Sequence, residues 1–367
     1  MCDSQNEGRS AERRMIPVAE AVGTVLAHDI TEIRKDEFKG RAFKKGHVVK
    51  EEDVCRLQRL GKEHLFVLSI GPDEMHEDDA ARSLAAALMG DGVAVKGGPK
   101  EGKITLVADR DGLLRINRES LLNFNMTGEV MCATLHDNTL VKKGQVVAGT
   151  RAIPLVVKKS AVGAAVDAAA RGEKTIRVRE LRRPRAGIVI TGNEVYYGKI
   201  KDAFAPVITG KIKAFGGDVV GLYYAPDEES FIGSRLRELI GAGADLLITT
   251  GGMSVDPDDV TRFAIRKLGA EEVTYGSAVL PGAMFLVAYI RAAERKAESA
   301  EGETSGEIPI LGIPACGMYA NATVFDLVLP RILAGEKIGR YELAELGHGG
   351  LCMKCGTCRY PVCPFGK

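Results

Sequence analysis

The sequence lacks three features that would each point to a particular class of protein. Its net charge is only +1, and basic and acidic residues are mixed along most of the chain, so charge favours no nucleic-acid partner. The first fourteen residues are polar and have no apolar centre, unlike a signal peptide. The longest uncharged apolar stretch, residues 275–290, is too short for a membrane span and is interrupted by Pro281-Gly282. We therefore expect a soluble, cytoplasmic protein that does not bind a membrane.

The length of 367 residues is too great for one ordinary hydrophobic core and predicts two or three domains. Changes in pattern along the chain suggest where these domains begin and end. The predicted divisions are a disordered stretch 1–14, a small α+β unit 15–100, a β-rich unit 101–180, an α/β domain 185–335 and a cysteine-rich tail 347–367.

The α/β domain is predicted from apolar runs that alternate with helical patterns. The runs are 187–190, 219–223, 246–248 and 308–311, and the helical stretches lie around 204–215, 228–242, 257–268 and 317–333. Such alternation is typical of a mostly parallel sheet covered on both faces, which is a three-layer αβα architecture. The charged insert between Tyr289 and Pro309 is expected to be an exposed hairpin loop.

Two glycine-bearing loops follow strands of this predicted sheet. Thr191-Gly192-Asn193-Glu194 follows the first strand, and Thr249-Thr250-Gly251-Gly252 follows the strand at 246–248. Loops at the carboxyl ends of parallel strands share one edge, where backbone amides can bind a phosphate or a similar anion. The alternative is that both are ordinary strand-to-helix turns. Asp202 is expected to cap the helix that follows it.

Three carboxylates, Asp256, Asp258 and Asp259, follow the second glycine loop. Asp256 before Pro257 has the chemistry of a helix start, and capping also accounts in part for Asp259. Like charges at an anion-binding helix end are unfavourable unless a cation lies between them and the anion. Mg²⁺, held by one or two carboxylates and by ligand phosphates, is the expected cation.

Further loops of the domain carry candidate residues. Pro281-Gly282 is expected to end a strand, and Pro314-Ala315-Cys316-Gly317 follows the last strand, so both could reach the same edge. Cys316 is either a thiol whose pKa is lowered at a helix start or a buried, inert cysteine. The arginine-rich segment 177–185 is either a solvated linker or a patch that attracts phosphate.

The strongest spacing pattern of the chain lies in its tail, where four cysteines crowd into the last sixteen residues. The pattern is Cys352-x2-Cys355-x2-Cys358-x4-Cys363-Pro364. It is similar to the ferredoxin run, which has three residues before its last cysteine where this tail has four. Four thiolates also satisfy a closed zinc site. We expect a [4Fe–4S] cluster or Zn²⁺ here, with free or regulatory thiols as the remaining alternative.

Several of these motifs, in this order, resemble those of the molybdopterin-binding domain of MoeA-like molybdopterin molybdotransferases, over about residues 185–335. The motifs are Thr191–Val195, Thr250–Val255 with Asp259, Pro281-Gly282, and Gly312-Ile313-Pro314. The resemblance implies magnesium-dependent insertion of molybdate into adenylated molybdopterin with release of AMP, in a homodimer that serves a recipient molybdoenzyme. It assigns catalysis to Glu194 and Asp259, with Asp259 also as a metal ligand. It implies that the pterin nucleotide is bound by Thr191, Gly192, Asn193, Thr250, Gly251, Gly252, Ser254, Pro281, Gly282 and Pro314.

The sequence also departs from that family's pattern. Pro281-Gly282-Ala283-Met284 lacks the lysine of the family's Pro-Gly-Lys-Pro, and Pro314-Ala315-Cys316-Gly317 replaces Pro-Gly-Asn-Pro. These changes favour a second hypothesis, a non-catalytic carrier or sensor of the molybdenum cofactor that uses its cysteine tail for redox control or docking. A third hypothesis is a nucleotide phosphohydrolase or deamidase built on the same type of domain.

Overall fold

The structure is a computed structural model that describes residues 13–34, 38–252, 260–291 and 306–367. Contacts within the chain divide it into two compact units. The first unit runs to Leu135 and includes Val141–Val178, and the second consists of His136–Leu140 and Arg179–Lys367. No helix in the described ranges is long and apolar enough to span a bilayer. The domain boundaries expected from the sequence stay predictions.

In the described residues, the first unit combines short strands with four α-helices and a short 3₁₀ helix at Val18–Glu20. Its strands are β1 (Arg13–Pro17), β2 (Val25–Leu26), β3 (Ile30–Arg34), β4 (Phe38–Phe43), β5 (His64–Leu68), β6 (Glu74–His76), β7 (Val93–Val95), β8 (Lys103–Ala108), β9 (Gly112–Ile116), β10 (Val130–Thr134), β11 (Thr139–Val141, at the unit boundary), β12 (Val146–Ala152), β13 (Val156–Lys158) and β14 (Ile176–Arg179). Its helices are α1 (Glu51–Arg59), α2 (Glu77–Leu88), α3 (Arg118–Asn125) and α4 (Lys159–Ala170).

The largest sheet of this unit has the order β10-β12-β8-β7, and it packs with α2 and α4 around one apolar core. A second core surrounds Leu57 of α1 and Val67 of β5. Two expectations need correction. Arg13 and Arg14 belong to β1, which pairs with β5, although disorder was expected through residue 14. The β-rich stretch also contains helix α3, whose first turn is capped when Asn117 accepts a hydrogen bond from the Ser120 amide at 3.0 Å.

The second unit has a six-stranded sheet and six α-helices in the described residues. The strands are β15 (Arg185–Thr191), β16 (Asp218–Ala225), β17 (Leu246–Thr250), β18 (Glu271–Tyr275), β19 (Leu286–Arg291) and β20 (Glu307–Ile313). The helices are α5 (Asn193–Tyr196), α6 (Phe204–Ala214), α7 (Glu229–Gly241), α8 (Thr261–Lys267), α9 (Val324–Leu333) and α10 (Arg340–Glu345), with a short 3₁₀ helix at Ala315–Met318.

The sheet has the order β16-β15-β17-β20-β19-β18. The first four strands of that order are mutually parallel, and β19 and β18 add an antiparallel edge. The three-layer, mostly parallel αβα fold expected from the sequence is confirmed. The antiparallel strands β18 and β19 were not expected from the sequence. The sequence analysis expected a strand to end at Pro281-Gly282, whereas these residues lie in the loop between β18 and β19.

Apolar layers on both faces hold the helices to this sheet. Successive side chains of a strand point to opposite faces, so Ile188 packs with α6 and α9 whereas Val189 packs with α7 and α8. Both side chains are fully buried, and burial of each contributes roughly 1.5–3 kcal/mol relative to exposure. Helices on both faces leave the ends of the strands, rather than the faces of the sheet, as places for a ligand.

The helical stretch expected at 317–333 is divided. The 3₁₀ helix ends at Met318, and α9 starts only at Val324 because Thr323 and Asp326 form a reciprocal cap. The Thr323 hydroxyl accepts from the Phe325 amide at 3.2 Å, and the Asp326 carboxylate accepts from the Thr323 amide at 2.7 Å. The segment between the 3₁₀ helix and α9 therefore forms a loop at the carboxyl edge of the sheet.

Candidate functional site

Four loops meet at one edge of the sheet in the second unit. Three of them follow the parallel strands β15, β17 and β20, whose carboxyl ends lie side by side. The fourth, containing Pro281-Gly282, precedes β19, which runs antiparallel and pairs its first residue Leu286 with Gly312 near the end of β20. The structure therefore brings together the loops that the sequence expectation had assigned to one site.

Buried hydroxyl groups join the first two loops. The Thr191 hydroxyl donates to the Thr250 carbonyl at 2.8 Å and lies 3.1 Å from the Thr261 hydroxyl at the start of α8. All three residues are buried. The hydroxyls of Thr249 and Thr250 are also buried, and neither has a hydrogen-bond partner among the described residues. Thr261 was not singled out from the sequence, because it lies inside the stretch 257–268 that was expected to be helical.

Gly251 and Gly252 allow the second loop to approach the first. Their φ angles are +77° and +56°, in the left-handed region that favours glycine. A Cβ on Gly251 would lie 2.4 Å from the Thr191 carbonyl oxygen, and one on Gly252 would lie 2.3 Å from the Thr261 hydroxyl oxygen. Within the described parts of the chain, neither amide donates a hydrogen bond. These two amides are therefore candidate donors to an anion.

The amides of the first loop are used differently. The Gly192 amide donates to the Ala225 carbonyl at 3.1 Å, and the Asn193 amide donates to the Asp227 carboxylate at 2.9 Å. The Asn193 side-chain oxygen in turn accepts from the Asp227 amide at 3.3 Å. These amides are therefore not available as the anion cradle expected from the sequence. The role of Asp227 was missed, although a polar residue just after β16 was a usable signal.

Glu194 presents an exposed carboxylate at this edge. It lies in the single-turn helix α5, and its carbonyl accepts from the amides of Lys199 at 2.8 Å and Ile200 at 3.1 Å. The carboxylate lies over Gly192, where a Cβ would come within 3.0 Å of its oxygen. Glycine at 192 thus leaves room for this side chain, and the backbone turn after Glu194 fixes its position.

Asp202 is the helix cap that the sequence predicts. Its two carboxylate oxygens accept from the amides of Phe204 at 2.8 Å and Ala205 at 2.9 Å. The Tyr224 hydroxyl also donates to this carboxylate at 3.3 Å. Burial, together with the negative charge of Asp202, raises the pKa of Tyr224.

The second catalytic candidate, Asp259, lies outside the described residues, as do Ser254 and the expected helix start at Asp256 and Pro257. Helix α8 is described from Thr261 onward. Among the described residues, no group of three or more His, Cys, Asp or Glu side chains is arranged to hold a metal ion. The magnesium site and the tail metal therefore stay predictions.

The cysteine tail packs on this same unit. The Cys352 amide donates to the Leu280 carbonyl at 2.8 Å, next to Pro281. Cys316, in the 3₁₀ helix that follows Pro314, is partly buried, and this burial raises the pKa of its thiol. Burial of the thiol therefore favours the inert cysteine over a thiol pKa lowered by a helix start.

The arginine-rich segment is tied to the opposite edge of the sheet. Arg182 forms an ion pair with Asp245 at 2.7 Å, and the same carboxylate accepts from the Arg185 amide at 2.8 Å. Asp245 precedes β17 and Arg185 begins β15, so both lie at the amino ends of parallel strands. These contacts favour the linker interpretation over a phosphate-attracting patch at the loop edge.

Comparison with known families assigns this unit. Residues 187–334 match the family described as "Probable molybdopterin binding domain". This segment is therefore similar to the domains of that family. Its bounds agree with the segment 185–335 on which the sequence resemblance rested, whereas the narrower resemblance to MoeA-like enzymes is not established. Residues 15–69 match a second family, described as "Domain of unknown function (DUF8806)".

Individual relatives are similar over short segments. A CinA-like protein of Mycolicibacterium vanbaalenii is 34% identical over 95 residues, which are 26% of this chain and 22% of that protein. A protein of Pyrobaculum calidifontis is 38% identical over 91 residues, 24% of this chain and 34% of its own length. The chain thus spans only about a fifth to a third of these relatives.

Among solved structures, the tungsten cofactor synthesizing protein MoaB of Pyrococcus furiosus is 18% identical and covers 41% of this chain and 92% of its own, with a TM-score of 0.32. A TM-score this low adds nothing to the assignment of the domain, which rests on the family match.

Proposed function

We propose that the second unit binds molybdopterin, as its adenylate, at the loop edge of the sheet and inserts molybdate or a related oxyanion during cofactor synthesis. The observation that carries the proposal is the convergence of four motif-bearing loops at one edge of a domain that matches the molybdopterin-binding family. A ligand with a phosphate group suits this edge because two glycine amides there have no backbone acceptor among the described residues and can donate to an anion.

In this proposal the residues of the edge have separate roles. The amides of Gly251 and Gly252 bind phosphate, and Thr191 fixes the spacing between the first two loops through its bond to Thr250. Glu194 and Asp259 act on the reacting groups. The amides of Gly192 and Asn193 already have partners within the protein, so these two residues contact the ligand through other atoms.

Mg²⁺ is the cation implied by the family resemblance. Glu194 supplies an exposed carboxylate at the edge, and Mg²⁺ in nucleotide sites is commonly held by one or two carboxylates with the remaining ligands from phosphates and water. Such a site does not require three protein carboxylates to be assembled in advance. The donors at this edge therefore fit the ion, which would neutralise charge on the phosphates.

The test is a turnover assay with the purified full chain, adenylated molybdopterin, molybdate and Mg²⁺, in which AMP release and protein-bound molybdenum are measured. We expect both products with the wild type. Glu194→Gln and Asp259→Ala should each lower AMP release at least tenfold while pterin binding stays within about threefold, since a tenfold rate loss corresponds to ~1.4 kcal/mol.

Glu271→Gln is the matched control, because Glu271 is an exposed glutamate on the edge strand β18 that forms an ion pair with Arg291. It should behave as the wild type. Failure of the wild type to bind the pterin would reject the proposal as a whole. Unchanged AMP release in both Glu194→Gln and Asp259→Ala would reject the assignment of the two carboxylates.

One observation favours the carrier hypothesis as a second candidate. The Pro281-Gly282 loop continues with Ala283 and Met284, so it supplies no cation to neutralise a bound phosphate. A carrier needs affinity for the finished cofactor but no stabilisation of a transition state. Tight binding of molybdopterin without AMP release by the wild type would support this candidate over the transferase. Both proposals include a homodimer of this chain and a recipient molybdoenzyme as its partner.

A further inference from the structure

A cavity of about 400 Å³ lies between the cysteine tail and two loops of the site edge. All four tail cysteines line it, together with Pro281 and the segment from Cys316 to Ala322. Its wall is mostly apolar, and its polar side chains include the thiols, Asn321, Lys354 and Arg359. The cavity therefore gathers five cysteines from two distant parts of the sequence around one space.

Contacts on both sides of the cysteine motif fix the tail in this position. Before the motif, the Leu280 amide donates to the Gly350 carbonyl at 2.8 Å, and the Cys352 amide returns a bond to the Leu280 carbonyl. After it, the Tyr360 hydroxyl donates to the Asp326 carbonyl of α9 at 3.0 Å, and Phe365 is buried in the core of the unit. The thiols are thus held by the fold and not by crosslinks, since none of these cysteines forms a disulfide.

A turn accounts for the unusual spacing of the last cysteine. The Val362 amide donates to the Arg359 carbonyl at 2.7 Å, and this turn reverses the chain between Cys358 and Cys363. The extra residue relative to the ferredoxin run is accommodated there. As a result Cys363 lines the same cavity as the three cysteines that precede it.

The arrangement of the thiols distinguishes between the groups that four cysteines can bind. A structural zinc ion draws four sulfurs to about 2.3 Å from one centre. In a [4Fe–4S] cluster each iron takes one thiolate, so the ligands are spread around the wall of a space that the cluster fills. The cavity is also far larger than one ion requires.

The charge of the tail suits such a group. No aspartate or glutamate occurs after Glu345, whereas Lys354, Arg359 and Lys367 are basic. Each cysteine loses its proton when its sulfur bonds to iron, so a [4Fe–4S]²⁺ core with four thiolates carries a net negative charge. Cations around the cavity, without nearby acids in the tail, stabilise that charge.

We propose that this cavity binds a [4Fe–4S] cluster through the thiolates of Cys352, Cys355, Cys358 and Cys363. Cys316 reaches the same cavity from the loop after Pro314 and remains a free thiol. The cluster lies beside Pro281, at the edge to which the proposed function assigns the pterin. The binding of the cluster does not depend on that assignment.

The test uses the full chain purified without oxygen and treated with ferric iron, sulfide and excess dithiothreitol. Four ferric ions must gain two electrons to form the [4Fe–4S]²⁺ core, and dithiothreitol supplies these electrons. We expect a brown protein with about four iron and four sulfide per chain, and an electron paramagnetic resonance signal after reduction with dithionite. A colourless protein that instead retains one zinc per chain, or tail cysteines recovered as disulfides, would overturn the proposal.

Variants separate ligands from other thiols of the same cavity. Cys355 and Cys358 are exposed, so replacement by serine should leave the unfolding temperature of the iron-free chain unchanged while iron content falls at least fivefold. Cys316→Ser is the matched control and should keep the wild-type iron content. Iron retained in both Cys355→Ser and Cys358→Ser, or lost in Cys316→Ser to the same extent, would refute the ligand assignment. No pterin is present, so failure here is distinguishable from failure of the proposed function.

Discussion

Replacing Gly251 by alanine tests the close approach of the two loops that carries the proposed anion site. An alanine there must adopt φ near +77°, which costs an L-residue roughly 1–2 kcal/mol. Its Cβ would also lie 2.4 Å from the Thr191 carbonyl oxygen and 2.8 Å from the Thr191 hydroxyl oxygen. Relief of that overlap requires the end of strand β15 to shift. Overpacking of this kind in a core costs about 1–3 kcal/mol. We therefore expect Gly251→Ala to lower the free energy of unfolding by ~2–5 kcal/mol.

Thermal unfolding followed by circular dichroism measures this effect. For a unit of this size, 1 kcal/mol corresponds to roughly 2–4 °C, so the unfolding temperature should fall by about 4–20 °C. Gly210→Ala is the matched control, because Gly210 lies in helix α6 and a Cβ there meets no atom within 4 Å. That variant should be as stable as the wild type or gain up to ~1 kcal/mol. A Gly251→Ala protein that unfolds within about 1 °C of the wild type would show that the two loops are not packed as described.

Three further predictions concern single contacts. The Ile338 amide donates to the buried Tyr289 hydroxyl at 2.6 Å, and Tyr289→Phe removes this acceptor. We expect the variant to destabilise the second unit by ~1–3 kcal/mol in urea unfolding. An effect below about 0.5 kcal/mol would contradict a stabilising role for this hydrogen bond. Asp202→Ala removes the cap of α6 and should lower the free energy of unfolding by ~0.5–2 kcal/mol. Asp202→Asn should retain most of the stability, because asparagine can also accept a hydrogen bond at a helix start. Equal losses of stability in the two variants would argue against capping. Burial raises the pKa of Glu77 above its ordinary value of 4.5, so the folded state holds that proton more tightly and stability falls as pH rises through the raised pKa. Glu77→Gln should therefore unfold at a higher temperature than the wild type at pH 7 and lose this advantage below pH 4.5; an advantage independent of pH would refute the titration.

The α/β sheet was predictable because buried parallel strands are continuous apolar runs with a helical stretch after each. Strands β15, β16, β17 and β20 all contain the runs identified from the sequence. The antiparallel strands β18 and β19 were not predicted, since β18 begins with two exposed glutamates and β19 merges into a long apolar stretch. Strand β18 lies at the edge of the sheet, whereas β19 pairs with both β20 and β18 and is buried like the parallel strands.

The loops of the candidate site could be predicted to share an edge, but the state of their polar groups could not. Parallel pairing alone puts Thr191 and Thr250 at neighbouring strand ends. Whether an amide at that edge is available depends on a partner from elsewhere in the chain, and Asp227 takes the Asn193 amide from 34 positions away. Motif spacing carries no information about such a partner, so only the structure separates the two glycine loops by role.

The tail shows the same division between spacing and tertiary structure. Spacing alone makes Cys352, Cys355 and Cys358 neighbours, because residues three apart in a short segment remain close. It does not decide whether Cys363 joins them, since the chain between has one residue more than the ferredoxin run. The contact of Tyr360 with α9 and the burial of Phe365 hold the two sides of Cys363 against the unit. Because core packing, rather than the local sequence, places the fourth thiol, a cluster in this cavity should be retained only while the second unit is folded. Iron release and unfolding of that unit should therefore occur at the same denaturant concentration, and iron retained by the unfolded chain would contradict this dependence.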